Sequence, residues 1–223
     1  VEDRKLNLLF PGPYGSRTAT LDVGNFGTAA RYRRDILKNS SVGVIMTDRE
    51  ADDFYNRVVG ADVNFRFKKT ETLSLTALGS DTRYPEEIVA EYGQPSGSFR
   101  SGAFDVYYLH DTQGLDWYAT YRENGEKFRA HLGFIPMGNW RYAEAGGGHT
   151  WNGDATKWYT MFNIGSSFDV ATEIDGTLME RANNYWINYA GPKELAINIG
   201  GTILSNMRYR SLDFEWNSIN LEV

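Results

Sequence analysis

Four carboxylates stand close together in the chain: Asp48, Glu50, Asp52 and Asp53. Calcium takes several oxygen ligands, so the acidic stretch Thr47–Arg57 is a candidate cation site. It has neither the spacing nor the Gly of an EF-hand loop, and a solvated acidic loop is the competing expectation. His110, His131 and His149 are dispersed, with no partner at i, i+2 or i, i+4. Metal-ligating His usually come in such pairs, so no metal centre is expected. No Gly-x-Ser-x-Gly elbow is present. Glu123 and Glu126 fall on a turn, where exposed charge is ordinary, and do not make a two-carboxylate sugar site. Catalysis is therefore not the leading expectation, and no cofactor is implied.

A second set of polar residues is defined by what it alternates with. Asn64 and Arg66 interleave with Val63, Phe65 and Phe67. Asp105 and Tyr107 interleave with Phe104, Val106 and Tyr108, and Asp116, Tyr118, Thr120 and Arg122 with Leu115, Trp117, Ala119 and Tyr121. Period two puts each set on its own face of a strand. Asn64, Arg66, Asp105, Tyr118 and Arg122 are the candidate solute-contacting residues. Ser74, Thr76, Thr120, Asn163 and Asn188 fall on the same polar side. The two arginines are expected to pair with acids such as Asp105 or Asp116.

The elements that position them all read as strands. Phe26–Ile36 and the segment from Val42 to Met46 alternate, as do those from Leu73 to Ala77, Trp158 to Ile164, Phe168 to Ile174 and Tyr185 to Tyr189. Leu195–Ile199, Leu212–Trp216 and Ile219–Val223 continue the pattern. The last of these predicts a sheet that runs on beyond this sequence. Phe128–Leu132 reads as a strand after the Glu123-Asn124-Gly125-Glu126 turn, since Asn and Gly tolerate positive φ. Gly146-Gly147-Gly148 reads as a flexible loop and Gly165-Ser166-Ser167 as a turn. Glu86–Tyr92 has room for one or two helical turns inside a long polar connection, Ser80–Ser98. Short and long connections tend to alternate, which predicts that Thr47–Arg57 and Ser80–Ser98 lie at the same end of the sheet.

Composition narrows the classes. There are 23 Gly, 14 Tyr, 6 Trp and no Cys, so disulfides and thiolate metal sites are excluded. A net charge of −6 argues against nucleic acid, whose phosphates need a basic footprint. No run of roughly 18 apolar residues exists, so no transmembrane helix is predicted; strands that cross a membrane leave no such run. Trp117, Tyr121, Trp158, Tyr185, Tyr189 and Trp216 could form aromatic girdles at membrane interfaces. Trp140, Trp151 and Trp186 could instead be sugar-stacking platforms.

Two stretches carry a family resemblance. One runs from Leu115 to Pro136, with Trp117-x-x-x-Tyr121, an acidic-Gly turn, Phe128-Arg129-Ala130-x-Leu132-Gly133-Phe134-Ile135-Pro136 and the later Trp140-Arg141 pair. The other is Ser40–Glu50 followed by Asn56–Phe67. Together they resemble the DUF5916 family of bacterial proteins across residues 29–141. The resemblance implies a carbohydrate-binding-module-9-like domain joined to an outer-membrane-type β-barrel, with this chain in the barrel region. It carries no catalytic motif. Glu173-Ile174-Asp175 separately resembles the start of the Glu-x-Asp-x-x-Glu strand of laminarinase-like glycosidases, but Leu178 holds the third carboxylate position and the motif fails.

The resulting expectation is an all-β chain, one domain over residues 1–223. It is an antiparallel β-barrel of outer-membrane type or a large part of one, with roughly ten to twelve strands. Its place would be the bacterial outer membrane, its neighbours membrane lipid and a small solute or glycan, with a partner domain or chain and no nucleic acid. The alternative is a soluble extracellular or cell-surface β-sandwich that binds carbohydrate, or a glycoside hydrolase.

Overall fold

The computed structural model describes residues 2–154 and 156–223. The chain is all-β and antiparallel. Its strands are β1 (Glu2–Asp3), β2 (Leu6–Gly12), β3 (Gly15–Leu21), β4 (Asn25–Ile36), β5 (Ser40–Ala51), β6 (Phe54–Phe67) and β7 (Glu71–Arg83). After helix α1 (Glu86–Tyr92) come β8 (Ser98–Asp111), β9 (Leu115–Asn124), β10 (Trp140–Asn152), β11 (Met161–Glu173), β12 (Leu178–Ala190), β13 (Ala196–Tyr209) and β14 (Leu212–Glu222). Twelve strands form one sheet in the order β1-β4 and then consecutively to β14, while β2 and β3 form a separate hairpin. The sheet is not closed: among the described residues no ladder joins β14 to β1 or β4.

The contacts group the chain into two compact units. Unit 1 holds residues 1–65, 74–106 and 122–141, and unit 2 holds 66–73, 107–121 and 142–223. The division cuts across β6 to β10 and does not fall in a linker.

In unit 1 the register sets Ala30, Met46 and Val59 side by side, and likewise Tyr32, Val44 and Ala61. This apolar row is uncovered: Met46 is 54% and Val59 63% exposed. The opposite face carries a second layer. Phe54 and Phe99 on the sheet pack with Leu6, Leu8, Phe10 and Ala19 of the hairpin and with Tyr84 and Ile88. Unit 1 thus buries its core on the face that carries Asn56 and leaves the apolar row of Val59 exposed on the other.

In unit 2, Ile164, Ile187, Ile199 and Leu221 lie in register across four strands. One residue along, on the other face, Asn163, Asn188, Asn198 and Glu222 do the same. The alternation read from the sequence is therefore present at both faces.

Several local expectations are corrected. Thr47–Arg57 is not a loop: β5 and β6 run through it and meet at Asp52-Asp53, with Asp53 at positive φ. The long connection shrinks to residues 84–97, with α1 inside it. Both connections nevertheless follow upward strands of the same meander and lie at one end of unit 1, where Tyr55 donates to Asp81 at 3.1 Å. Gly146-Gly147-Gly148 is not a loop but the middle of β10, and Gly165-Ser166-Ser167 not a turn but the middle of β11. These glycines are required by packing: a Cβ on Gly147 would meet Trp117, and one on Gly165 would sit inside the indole of Trp186. Phe128–Leu132 is not a strand. It is irregular backbone that packs into unit 1, with Phe128 fully buried.

Candidate solute-facing surface

The loop 125–139, buried at Phe128 and Arg129, shows how unit 1 fills its polar face. A loop taken out of water must have its peptide groups satisfied by other means than a ladder. Asn56 does this from β6: its Nδ2 donates to the carbonyl of Arg129 (2.9 Å) and to Thr82 Oγ1 (2.8 Å), and its Oδ1 accepts the His131 N–H (2.8 Å). The Arg129 guanidinium donates to the carbonyls of Glu126 and Phe128 and to Gln94 Oε1. Arg49 reaches from β5 to the carbonyls of Asn7 and His131 and to Asn25 Oδ1. Both arginines use oxygen dipoles as partners, and burial pushes both guanidiniums down from their ordinary value. Burial, with Arg129 and Arg49 nearby, lowers the His131 imidazole to about 3, and burial raises the Tyr84 phenol. The Tyr84 hydroxyl and His131 Nε2 share a hydrogen bond of 2.7 Å.

Unit 2 leaves its polar face without a second layer. Glu144 of β10 is held between two phenols: Tyr118 donates to Oε1 at 2.6 Å and Tyr142 to Oε2 at 2.8 Å. Asn184 donates to Asp169 Oδ1 at 2.9 Å and accepts from Thr202 Oγ1 at 2.9 Å. Asn188 donates to Asn163, which in turn donates to Thr150. The result is a network of carboxylate, phenol and amide groups fixed by their neighbours, half-buried at Tyr118, Tyr142, Glu144 and Asn184 and buried at Asp169 and Thr202. Such a surface can hydrogen-bond a hydroxyl-rich or cationic solute and repel an anion.

Of the five candidate residues, the structure brings one pair together. Arg122 Nε lies 2.9 Å from Asp105 Oδ2, the pairing expected for that arginine. Asn64 donates to Ser74 Oγ at 2.7 Å. Tyr118 belongs to the Glu144 cluster of unit 2, and Arg66 is exposed near the end of β6. The acidic candidates do not form a cation site. Asp48 and Glu50 both pair with Arg57, Asp53 faces Arg83 at 3.8 Å, and Asp52 stands in the turn. Among the described residues no group of three or more acidic or His side chains could hold a metal ion. Period two is the reason: Asp48 and Glu50 share a strand face, while Asp52 and Asp53 are directed elsewhere by the turn.

Glu144, Tyr142, Asp169 and Asn184 are not among the residues that the sequence singles out. Tyr142-x-Glu144 and Ser167-x-Asp169 have the spacing of one strand face, but each was hidden by glycines read as loop or turn. Trp216 departs from the girdle expectation, since it shares a strand face with Ser218, the partner of Thr202. Comparison of the chain with protein-family models, with curated proteins and with solved structures finds no match in any of the three.

Proposed function

We propose that this chain is wall material of an outer-membrane-type β-barrel that binds or passes a polar solute, as its resemblance to the DUF5916 family suggests. The observation that carries the reading is the inverted distribution of side chains. In each unit one sheet face keeps apolar residues exposed, Met46 and Val59 in unit 1 and Ile164 and Leu221 in unit 2, while hydrogen-bonded polar side chains such as Asn56 and Asn188 lie on the other. Exposed apolar area costs about 25 cal/mol per Å² in water, and patches this continuous mark a lipid or partner surface. Hydrocarbon removes that cost, and a sheet suits it because the ladders satisfy the backbone.

Strand length and aromatic placement add support. The strands from β4 to β14 have 10 to 14 residues, enough for the roughly 9–11 needed by a tilted span. In unit 2, Trp117 stacks on His110 and lies against Tyr108, Trp151 packs on Phe162, and Trp158 stacks on Tyr189. All sit at the end marked by the connections 112–114, 153–160 and 191–195. A belt of this kind belongs at a membrane–water boundary. The Glu144 and Asn184 clusters would then face the solute, a neutral glycan or a cation in preference to an anion.

The test is detergent dependence. The chain should fold only with detergent or lipid and should partition into vesicles. A folded monomer in plain buffer sinks the reading.

A further inference from the structure

We infer that the polar face of unit 2 stacks a neutral pyranose ring on Trp186, an inference that deepens the solute reading above and rests on it. Of the three tryptophans that the sequence offers as sugar platforms, two are occupied otherwise. Trp140 donates its Nε1–H to the Met137 carbonyl at 3.2 Å, and Trp151 packs on His149 and Phe162. Trp186 is half-buried, and among the described residues its Nε1–H has no acceptor.

The ladder sets Trp186 opposite Gly165 on β11 and Gly200 on β13. A strand glycine marks a place where another group can come close to the backbone. On β11 that group is the indole: a Cβ on Gly165 would meet its Cζ2 and Cε2. The ring therefore lies across β11, with one face on the backbone and the other turned away from the sheet. On the β13 side the space is open, since a Cβ on Gly200 would meet only the Tyr185 carbonyl oxygen, at 3.4 Å.

Hydrogen-bonding side chains flank the ring in two rows. One is Asn163, Asn188 and Asn198, and the other is Ser167, Asn184 and Thr202. Period two puts both rows on the face of Trp186. Asn188 Nδ2 donates to Asn163 Oδ1 at 3.1 Å, which fixes the amide and leaves Asn188 Oδ1 for a donor from outside. Asn198 is exposed beside it. Across β11 to β13 these rows hold no charged side chain; carboxylates stand only at their borders, Asp169 on β11 and Glu222 on β14. A pyranose with equatorial hydroxyls matches this arrangement. Its C–H face meets the negative π face of the indole, and its rim of hydroxyls meets the amides and the indole N–H. A carboxylated sugar is repelled by Asp169 and Glu222.

Isothermal titration calorimetry of the full chain in detergent micelles tests this, with cellohexaose as the neutral probe and hexagalacturonate as its charged counterpart. Cellohexaose should bind at least about tenfold more tightly than hexagalacturonate. Gly200→Val fills the open side of the ring and leaves Trp186 in place; it should weaken cellohexaose binding about tenfold, as should Trp186→Ala. Trp186→Phe keeps a ring over Gly165 and should lose about threefold or less. Trp151→Ala, on the apolar face beside Phe162, should leave the affinity unchanged. Equal binding of the two sugars overturns the inference, as does an unchanged cellohexaose affinity in both Gly200→Val and Trp186→Ala. A chain that inserts into vesicles but binds no cellohexaose refutes this inference alone. A chain that stays folded in buffer and ignores vesicles refutes the membrane reading with it.

Discussion

The two units use the same strand pattern and treat their polar faces differently. Unit 1 covers its polar face with the β2–β3 hairpin, α1 and the loop 125–139, and its buried core lies there. Unit 2 lays no helix or hairpin over its polar face and ties it together with side-chain hydrogen bonds across neighbouring strands. The contrast separates two jobs that one face of a sheet can do. A covered face gains stability from packing, while an uncovered face must be self-satisfied and stays available to a solute.

The comparison can be broken most directly in the covered core. Phe54→Ala removes a buried ring that packs on Tyr84 and His131. It should lower stability by about 3–5 kcal/mol in a denaturant titration in detergent. Leu221→Ala on the exposed apolar face of unit 2 should cost about 1 kcal/mol or less in the same titration. Similar costs at the two positions would mean that the faces are not differentiated.

Next come the two asparagines that organise each face. Asn56→Ala leaves the Thr82 hydroxyl, the Arg129 carbonyl and the His131 N–H without their buried partner. The cost should be about 2 kcal/mol or more, with faster proteolysis at Lys127 and Arg129. Asn184→Ala takes a partner from the buried Asp169 and Thr202 and should cost about 1 kcal/mol, less than Asn56→Ala because Asn184 itself is half-buried and within reach of water.

Acid should act on unit 1 first. His131 is lowered from its ordinary 6.5 to about 3 by burial and the two arginines. Between those values the unfolded chain binds a proton that the folded chain does not, so stability is complete above about pH 6.5 and falls as pH drops towards 3. Proteolysis of the 125–139 loop should accelerate over that window, and His131→Gln should flatten the dependence. An unchanged profile in the variant would assign the acid sensitivity to other groups.

The smallest effect is expected at Arg122. Its pair with Asp105 is half-exposed, so Arg122→Ala should cost about 0–1 kcal/mol. Single-channel recording should nonetheless show an altered ion preference if that face meets the solute. No change in ion preference would leave the pair a purely structural ladder.

The sequence by itself determined the all-β class, the two faces of most strands and the polar side of Asn64, Asp105, Tyr118 and Arg122. Period-two alternation is a local property, written in each strand regardless of what it pairs with. It did not reveal that the glycines of β10 and β11 are strand residues, because the reason for them lies in Trp117 and Trp186 on neighbouring strands. Nor did it reveal that Phe128–Leu132 abandons the strand its pattern suggests. That outcome depends on Asn56, 72 positions before Phe128, supplying the hydrogen bonds a ladder would have made. Which polar face is covered and which is bare is a tertiary decision for the same reason. Identical alternation serves a packed face and a wet one, and only the elements that come to lie on it decide between them.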